Sequence, residues 1–377
     1  MKKIGITGQA GFMGTHLYNT ICLYPERFSR VTFKDSYFKE DRLLESFISQ
    51  CDVVVHLAAM NRHDNQDVIY NTNIRLVKQI IAACESTGST PHIIFSSSTQ
   101  EERNNQYGKS KKEGRRLFEK WAESNKARFT GLIMPNVYGP FGLPYYNSVV
   151  ATFCHQLTHN ELPVIEVDGE LKLIYIGELI KNILTIIEKE EAQSKILIRQ
   201  IKVKHSSEVR VSTILETLNA FKTIYLENGE IPSLDTFFSR SLFNTFLCYI
   251  DHSLFFPFKL LKNTDNRGSF IETIKLNSGG QVSFSTTVPG ITRGNHFHTR
   301  KAERFAVIKG KARIDIRRIG TDKIISFELN GDNPSFVDMP VWYTHNITNT
   351  GDEDLYTIFW INEKYDKTDP DTFFEKV

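Results

Sequence analysis

Over residues 1–140, short β-branched stretches alternate with helical ones, and this limits the possible folds more than any other feature of the chain. "KIGITG" reads as a strand, "GTHLYNTICLY" as a helix, "RVTFKD" and "DVVVHLAA" as strands, "NIRLVKQIIAACEST" as a helix and "HIIFSSS" as a strand. Strands separated by crossover helices run parallel, so a doubly wound Rossmann-type α/β sheet is expected. Further along, "VSTILETLNAFKTIY" sets Ile214, Leu215, Leu218, Phe221, Ile224 and Tyr225 on one helical face, with Thr213 and Glu216 spaced as a capping box. From about residue 255 the period changes. "QVSFSTTV", "RFAVIKG", "KARIDIRRI", "KIISFEL" and "LYTIFWIN" are short strands parted by Gly, Asn, Asp and Pro, the pattern of an all-β sandwich or barrel. The expected domains are 1–255 and 256–377.

A chain of 377 residues has room for both domains. Its 46 Lys and Arg against 44 Asp and Glu leave a formal charge of +2, spread along the sequence. Neither a nucleic-acid partner nor a membrane-surface partner is expected from that balance. Cys22, Cys51, Cys84, Cys154 and Cys248 sit singly without CxxC spacing, so buried thiols in a reducing compartment are expected. The N-terminus enters a strand and turn directly, with no signal peptide and no apolar run of bilayer length; a cytoplasmic location is expected.

"TGQAGFMG" places Gly8, Gly11 and Gly14 between the first strand and the first helix. Glycines there allow a tight turn and a close approach of a pyrophosphate to helix N-terminal N–H groups, which points to dinucleotide binding. In "QYGKSK", Tyr107 and Lys111 are one helical turn apart, and a cation at that distance favours the phenolate. Ser96, Ser97 and Ser98 end the strand just before, where a hydroxyl can orient a carbonyl. At "FKDS", Lys34 suits a 2′-phosphate and Asp35 suits a free ribose diol, so the local signal for coenzyme choice is divided.

These motifs, with "PNVYGP", resemble the extended short-chain dehydrogenase/reductases that act on nucleotide sugars. The resemblance implies a catalytic Ser98, Tyr107 and Lys111. It also implies coenzyme contacts from Gly8, Gly11, Phe12, Met13, Gly14, Leu57, Ala58, Ala59, Asn73, Tyr107 and Lys111, and, taken with Lys34 at the end of the second strand, NADPH as the coenzyme.

In "GITRGNHFHTRKAERFAVIKG", the spacing of Gly290, His296, His298, Glu303 and Gly310 resembles the first cupin motif. Pro340, His345 and Asn349 resemble the second, with Trp342 where glycine is expected. His296 and His298, two apart on a strand, face one side. Joined by Glu303 and His345 they suit Zn²⁺ or another divalent first-row ion, in a cupin (jelly-roll barrel). "TDNRGSFIE" and "TRGNHFH" also resemble the dTDP-4-keto-6-deoxyglucose 3,5-epimerase group, which implies substrate contacts from Arg267 and Arg293 and a base at His296. His296 is thus claimed as ligand and as base.

A reductase followed by a cupin resembles the bifunctional enzymes of capsular polysaccharide synthesis. That resemblance implies a homodimer acting on a UDP-sugar, with C3 epimerisation of a UDP-4-keto-6-deoxy-N-acetylhexosamine followed by C4 reduction. The implied product is UDP-N-acetyl-6-deoxy-L-talosamine, a precursor of UDP-N-acetyl-L-fucosamine. The alternative is a 4-ketoreductase whose cupin is only a metal-binding or dimerisation module.

Overall fold

The computed structural model describes residues 1–193, 197–266 and 268–377. Chain packing divides them into two compact units. The first comprises Met1–Tyr138, Gly142–Val149 and Glu170–Val209; the second comprises Gly139–Phe141, Val150–Gly169 and Arg210–Val377.

In the first unit the strands lie in the order Phe28–Val31, Lys2–Thr7, Val53–His56, His92–Ser98, Phe129–Met134 and Ile198–Lys202. Every neighbouring pair is parallel. The central strand Val53–His56 is buried at every position, as expected where helices cover both faces. Helices Gln66–Thr87 and Gln106–Asn125 pack side by side, and Phe12–Ile21 packs with Ile176–Gln193. Phe47, Ile80, Phe95, Phe118, Trp121 and Phe129 form the centre of one core layer. The strand order reverses direction between Lys2–Thr7 and Val53–His56. In open parallel sheets, ligands bind at the carboxyl ends of the strands at such a reversal.

The second unit contains two antiparallel sheets of five strands. One runs Phe258–Lys259, Ser335–Met339, Glu303–Lys309, Leu355–Ile361, Gln281–Thr287; the other runs Ile324–Asn330, Lys311–Arg318, Tyr343–Asn349, Thr292–Phe297, Phe373–Phe374. Ala306, Ile314, Ile316, Phe327, Phe336 and Val337 lie in the core of this unit. Hydrogen bonding among the described residues leaves two sheets and does not close one barrel. A separate exposed hairpin joins Lys262–Asp265 to Gly268–Ile271. No helix among the described residues is long and apolar enough to cross a membrane.

Packing groups some segments differently from the change of period, and one helix start differs from the sequence reading. The change of period near residue 255 does not coincide with the division in packing, because 150–169 and 210–255 group with the antiparallel sheets. A buried ion-pair network links 210–255 to the antiparallel sheets. Arg304 donates through Nε and Nη2 to the two Asp338 carboxylate oxygens at 2.8 and 2.9 Å, and through Nη1 to the Gly229 carbonyl at 2.5 Å. The Tyr225 hydroxyl donates to Asp338 at 2.6 Å, so the helical segment is bound to the sheet by groups that have left water.

The capping box at Thr213 and Glu216 is also absent. The helix begins earlier, at Val211, and its first turn is served by Asp168, which accepts from the Ser212 N–H at 2.9 Å and its hydroxyl at 3.0 Å. The apolar face is as expected at Ile214, Leu218, Phe221 and Tyr225, which are all buried.

Removing one partner of a buried ion pair leaves an uncompensated charge, at a cost of about 3–5 kcal/mol. Asp338→Ala should therefore lower the denaturant midpoint of the transition that monitors the antiparallel unit. An unchanged midpoint would show that the pair does not hold the segment.

Candidate functional site

The glycine-rich turn lies at the reversal in strand order. Gly8 has φ +69°, and a Cβ there would fall 2.8 Å from the Ala58 backbone nitrogen; one on Gly14 would fall 2.1 Å from the Gly8 carbonyl. Only glycine allows the first turn to lie this close to the Leu57–Ala59 segment. Gly11 is the N-cap of helix Phe12–Ile21 and offers no side-chain cap, so the first-turn N–H groups stay available to an anion. Phe12 and Met13 are half-buried in that turn. Asn73 is buried, with Oδ1 accepting from the Met60 N–H at 2.7 Å and Nδ2 donating to the Met60 carbonyl and Ser110 Oγ, both at 2.9 Å. It holds the end of the "LAA" stretch against helix Gln106–Asn125. Lys34 and Asp35 are both exposed beyond the second strand.

Tyr107 and Lys111 share a face of helix Gln106–Asn125. The helix starts close against the turn before it, since a Cβ on Gly108 would meet the Gln100 carbonyl at 2.0 Å. Lys111 is buried, with Nζ 5.6 Å from the Tyr107 ring centre and donating to Ser96 Oγ at 3.3 Å. Ser96 in turn donates to the His56 carbonyl at 3.0 Å. Ser98 is half-buried and accepts from the Gln100 N–H at 3.2 Å. Ser97 turns the other way and donates to Glu101, which is paired with Arg115. The alternation of a strand therefore separates the serines: Ser96 and Ser98 share a side, and Ser96 is the one that touches Lys111.

The electrostatics differ from the expectation of a lowered tyrosine pKa. Burial pushes the Tyr107 phenol up to about 12, with Tyr146 adding to the rise. Burial also brings Lys111 down from 10.5 to about 7, although Glu101 opposes the change. Desolvation is the largest cause at both groups.

In the second unit His296, His298, Glu303 and His345 converge, with one ligand atom from each lying within 4.8 Å of all the others. Glu303 Oε2 is 3.4 Å from His298 Nε2, 3.1 Å from His345 Nε2 and 4.0 Å from His296 Nε2. Burial would raise the Glu303 carboxyl, but the facing His298 and His345 hold it well below the carboxylate range. Glu303 Oε2, His298 Nε2 and His345 Nε2 are buried and have no hydrogen-bond partner. Three orphaned donor atoms aimed at one point are what a divalent cation would satisfy, so these residues fit a metal ion.

His296 is the most open of the four, with a side chain 26% exposed. It faces a cavity of about 320 Å³ whose walls include Arg293, Phe284, Phe305, Met339 and Phe359. Arg293 donates to the Thr286 carbonyl at 3.1 Å. Arg267 lies outside the described residues. Trp342, where the motif resemblance leads one to expect glycine, has φ +64° and is buried, with its ring 5.7 Å from that of Phe297.

The fold and the two residue sets define a dinucleotide-type α/β unit joined to an antiparallel unit with a candidate metal centre. The NAD dependent epimerase/dehydratase family model matches residues 4–198, and the polysaccharide biosynthesis C-terminal domain model matches 263–373. The chain belongs to the NAD dependent epimerase/dehydratase family.

Similarity also runs the whole length of the chain. It is 35% identical to the capsular polysaccharide assembling protein CapF from Staphylococcus aureus, with 100% of both chains covered and a TM-score of 0.63. It is 29% identical to UDP-2-acetamido-2,6-beta-L-arabino-hexul-4-ose reductase of Pseudomonas aeruginosa, covering 98% of each. The spore coat polysaccharide biosynthesis protein SpsL of Bacillus subtilis is 26% identical over 123 residues, which are 30% of this chain and 82% of that protein.

The depressed Lys111 pKa has a measurable sign. Between pH 7 and 10.5 the unfolded chain keeps a lysine proton that the folded chain has lost. Stability therefore rises with pH across that window relative to Lys111→Met, by about 2 kcal/mol between pH 7 and 9. Parallel denaturant titrations of the two proteins test this; a difference that stays flat with pH would refute it.

Proposed function

We propose that the protein is a two-site nucleotide-sugar enzyme of polysaccharide biosynthesis. On this reading the antiparallel unit, as a cupin, inverts C3 of a UDP-4-keto-6-deoxy-N-acetylhexosamine. The parallel-sheet unit then reduces the C4 ketone with NADPH to UDP-N-acetyl-6-deoxy-L-talosamine. The observation that carries it is the end-to-end match to a 4-ketosugar reductase and to CapF in a chain that holds both residue sets.

Chemistry gives the order. The C3 proton is acidic only while C4 is a carbonyl, because its loss leaves an enolate; reduction abolishes that acidity. Epimerisation must come first.

In the reductase site a bound nicotinamide supplies the hydride. Tyr107, protonated throughout the neutral range, is suited to give its proton to the C4 oxygen as hydride arrives. Ser98 is assigned to orient the ketone. Lys111, near 7 in the free protein, regains its charge when anionic groups come close, and then supports the tyrosinate left after proton transfer. Lys34 favours a 2′-phosphate, so NADPH is the assigned coenzyme. Lys34→Ala should lower NADPH affinity about tenfold and leave NADH unchanged.

In the second unit His296, His298, Glu303 and His345 would hold the cation, with zinc the best fit to this donor set. A divalent ion supplies Lewis-acid stabilisation of developing negative charge on the carbonyl oxygen. Arg293 on the cavity wall is suited to the anionic substrate, and Arg267 is assigned the same role from sequence. His296, the most open of the four and facing the cavity, is claimed as ligand and as base; off the cation it is the residue placed to take the C3 proton, with solvent returning a proton to the opposite face of the enolate. A homodimer is proposed, as the resemblance of a reductase followed by a cupin implies.

The deciding experiment is proton NMR of the UDP-4-keto sugar with the protein in D₂O, with and without NADPH. Deuterium is expected at C3 without coenzyme, and a C4 alcohol once NADPH is added. Absence of C3 exchange in metal-loaded protein would favour the alternative, a reductase with a structural metal module. Tyr107→Phe is expected to abolish NADPH oxidation and leave C3 exchange intact; loss of both in a folded variant would defeat the two-site picture. Elemental analysis should find about one divalent ion per chain, and His298→Ala and His296→Ala should each lose it. A His296→Ala protein with full metal and no exchange would make His296 the base instead.

A further inference from the structure

The stretch "PDTFFEKV" takes no part in either proposed site, yet it is bound closely to one of the candidate ligands. Asp371 is buried, with φ +45°. Its carboxylate accepts from the backbone N–H groups of Thr299 at 3.2 Å, Arg300 at 3.0 Å and Lys301 at 3.2 Å, and from the Thr299 hydroxyl at 2.6 Å. Its own backbone carbonyl meets His298 Nδ1 at 2.5 Å. A carbonyl oxygen can only accept, so Nδ1 carries a proton, and in the neutral ring that binds a cation the lone pair is on Nε2, the atom that faces Glu303.

The surrounding contacts hold the same segment. Lys301 is 1% exposed and donates through Nζ to the Pro370 carbonyl at 2.7 Å. Phe373–Phe374 pairs with the strand of the ligands, His296 opposite Phe374 and Phe297 opposite Phe373.

We infer that Asp371 is a positioning residue of the metal centre. Its carboxylate clamps residues 299–301 and thereby holds its own carbonyl on His298 Nδ1, which fixes the tautomer and aim of that imidazole. Outer partners of this kind typically change metal affinity by roughly 10–100-fold when removed. The inference rests on the metal reading of the four-residue cluster and adds a residue to it from a distant part of the chain.

The test uses the full-length protein, stripped with a chelator and titrated with zinc against a chromophoric competitor, together with the visible spectrum of the cobalt(II) form. Asp371→Ala is expected to weaken zinc roughly 10–100-fold and to shift the cobalt bands, which report ligand geometry. Asp371→Asn keeps one acceptor oxygen and tolerates the positive φ, so it should recover most of the loss. A folded Asp371→Ala protein with zinc affinity within about twofold of wild type overturns the inference, as does weaker binding with an unchanged cobalt spectrum. If Asp371→Ala is insoluble, Thr299→Val removes only the hydroxyl contact and is held to the same two readouts, with a smaller loss expected. Wild-type protein that binds neither zinc nor cobalt would instead overturn the metal reading itself, an outcome distinct from a variant that matches a metal-binding wild type.

Discussion

The second unit depends on one strand, Glu303–Lys309, being held from both sides. Glu303 faces the ligand cluster, while Arg304 turns to the opposite face and is paired there with Asp338, Tyr225 and Gly229. Phe336 lies under the guanidinium, 3.5 Å from its centre. A bidentate pair out of water is costly to break and gives little net gain in stability over an apolar substitute. Its contribution is therefore best read as geometry. The strand cannot slide without separating charges in a low dielectric, so the carboxylate one residue earlier keeps its place.

The reductase site uses burial in a different way. Tyr107 and Lys111 are both pushed toward their neutral forms in the free protein. The same enclosure that disfavours charge at rest strengthens whatever charge a bound substrate and coenzyme bring. Ser96 connects Lys111 to the His56 carbonyl, so the lysine is tied to the strand beside the reversal in sheet order.

Much of this was legible in the sequence because it depends on local spacing. The strand–helix alternation, the glycines at 8, 11 and 14, and the His296-x-His298 pair follow from a few residues each, and the structure has the parallel sheet, the close turn and the convergent imidazoles. What was not legible depends on distant partners or on burial. Arg304 and Asp338 are 34 residues apart, and Tyr225 and Asp338 are 113 apart, so the helical segment at 210–255 could not be assigned to the antiparallel unit from its period. The sign of the Tyr107 shift followed charges that sequence reveals and missed desolvation, which it does not. The capping box failed because Asp168, remote in sequence, serves the helix start.

Trp342 shows how a position can have two unlike solutions. Left-handed backbone costs a residue with a Cβ roughly 1–2 kcal/mol, a cost glycine avoids. Here that cost is offset by an indole buried against Phe297. Alanine would keep the strain and lose the packing, so intermediate side chains do worse than either extreme.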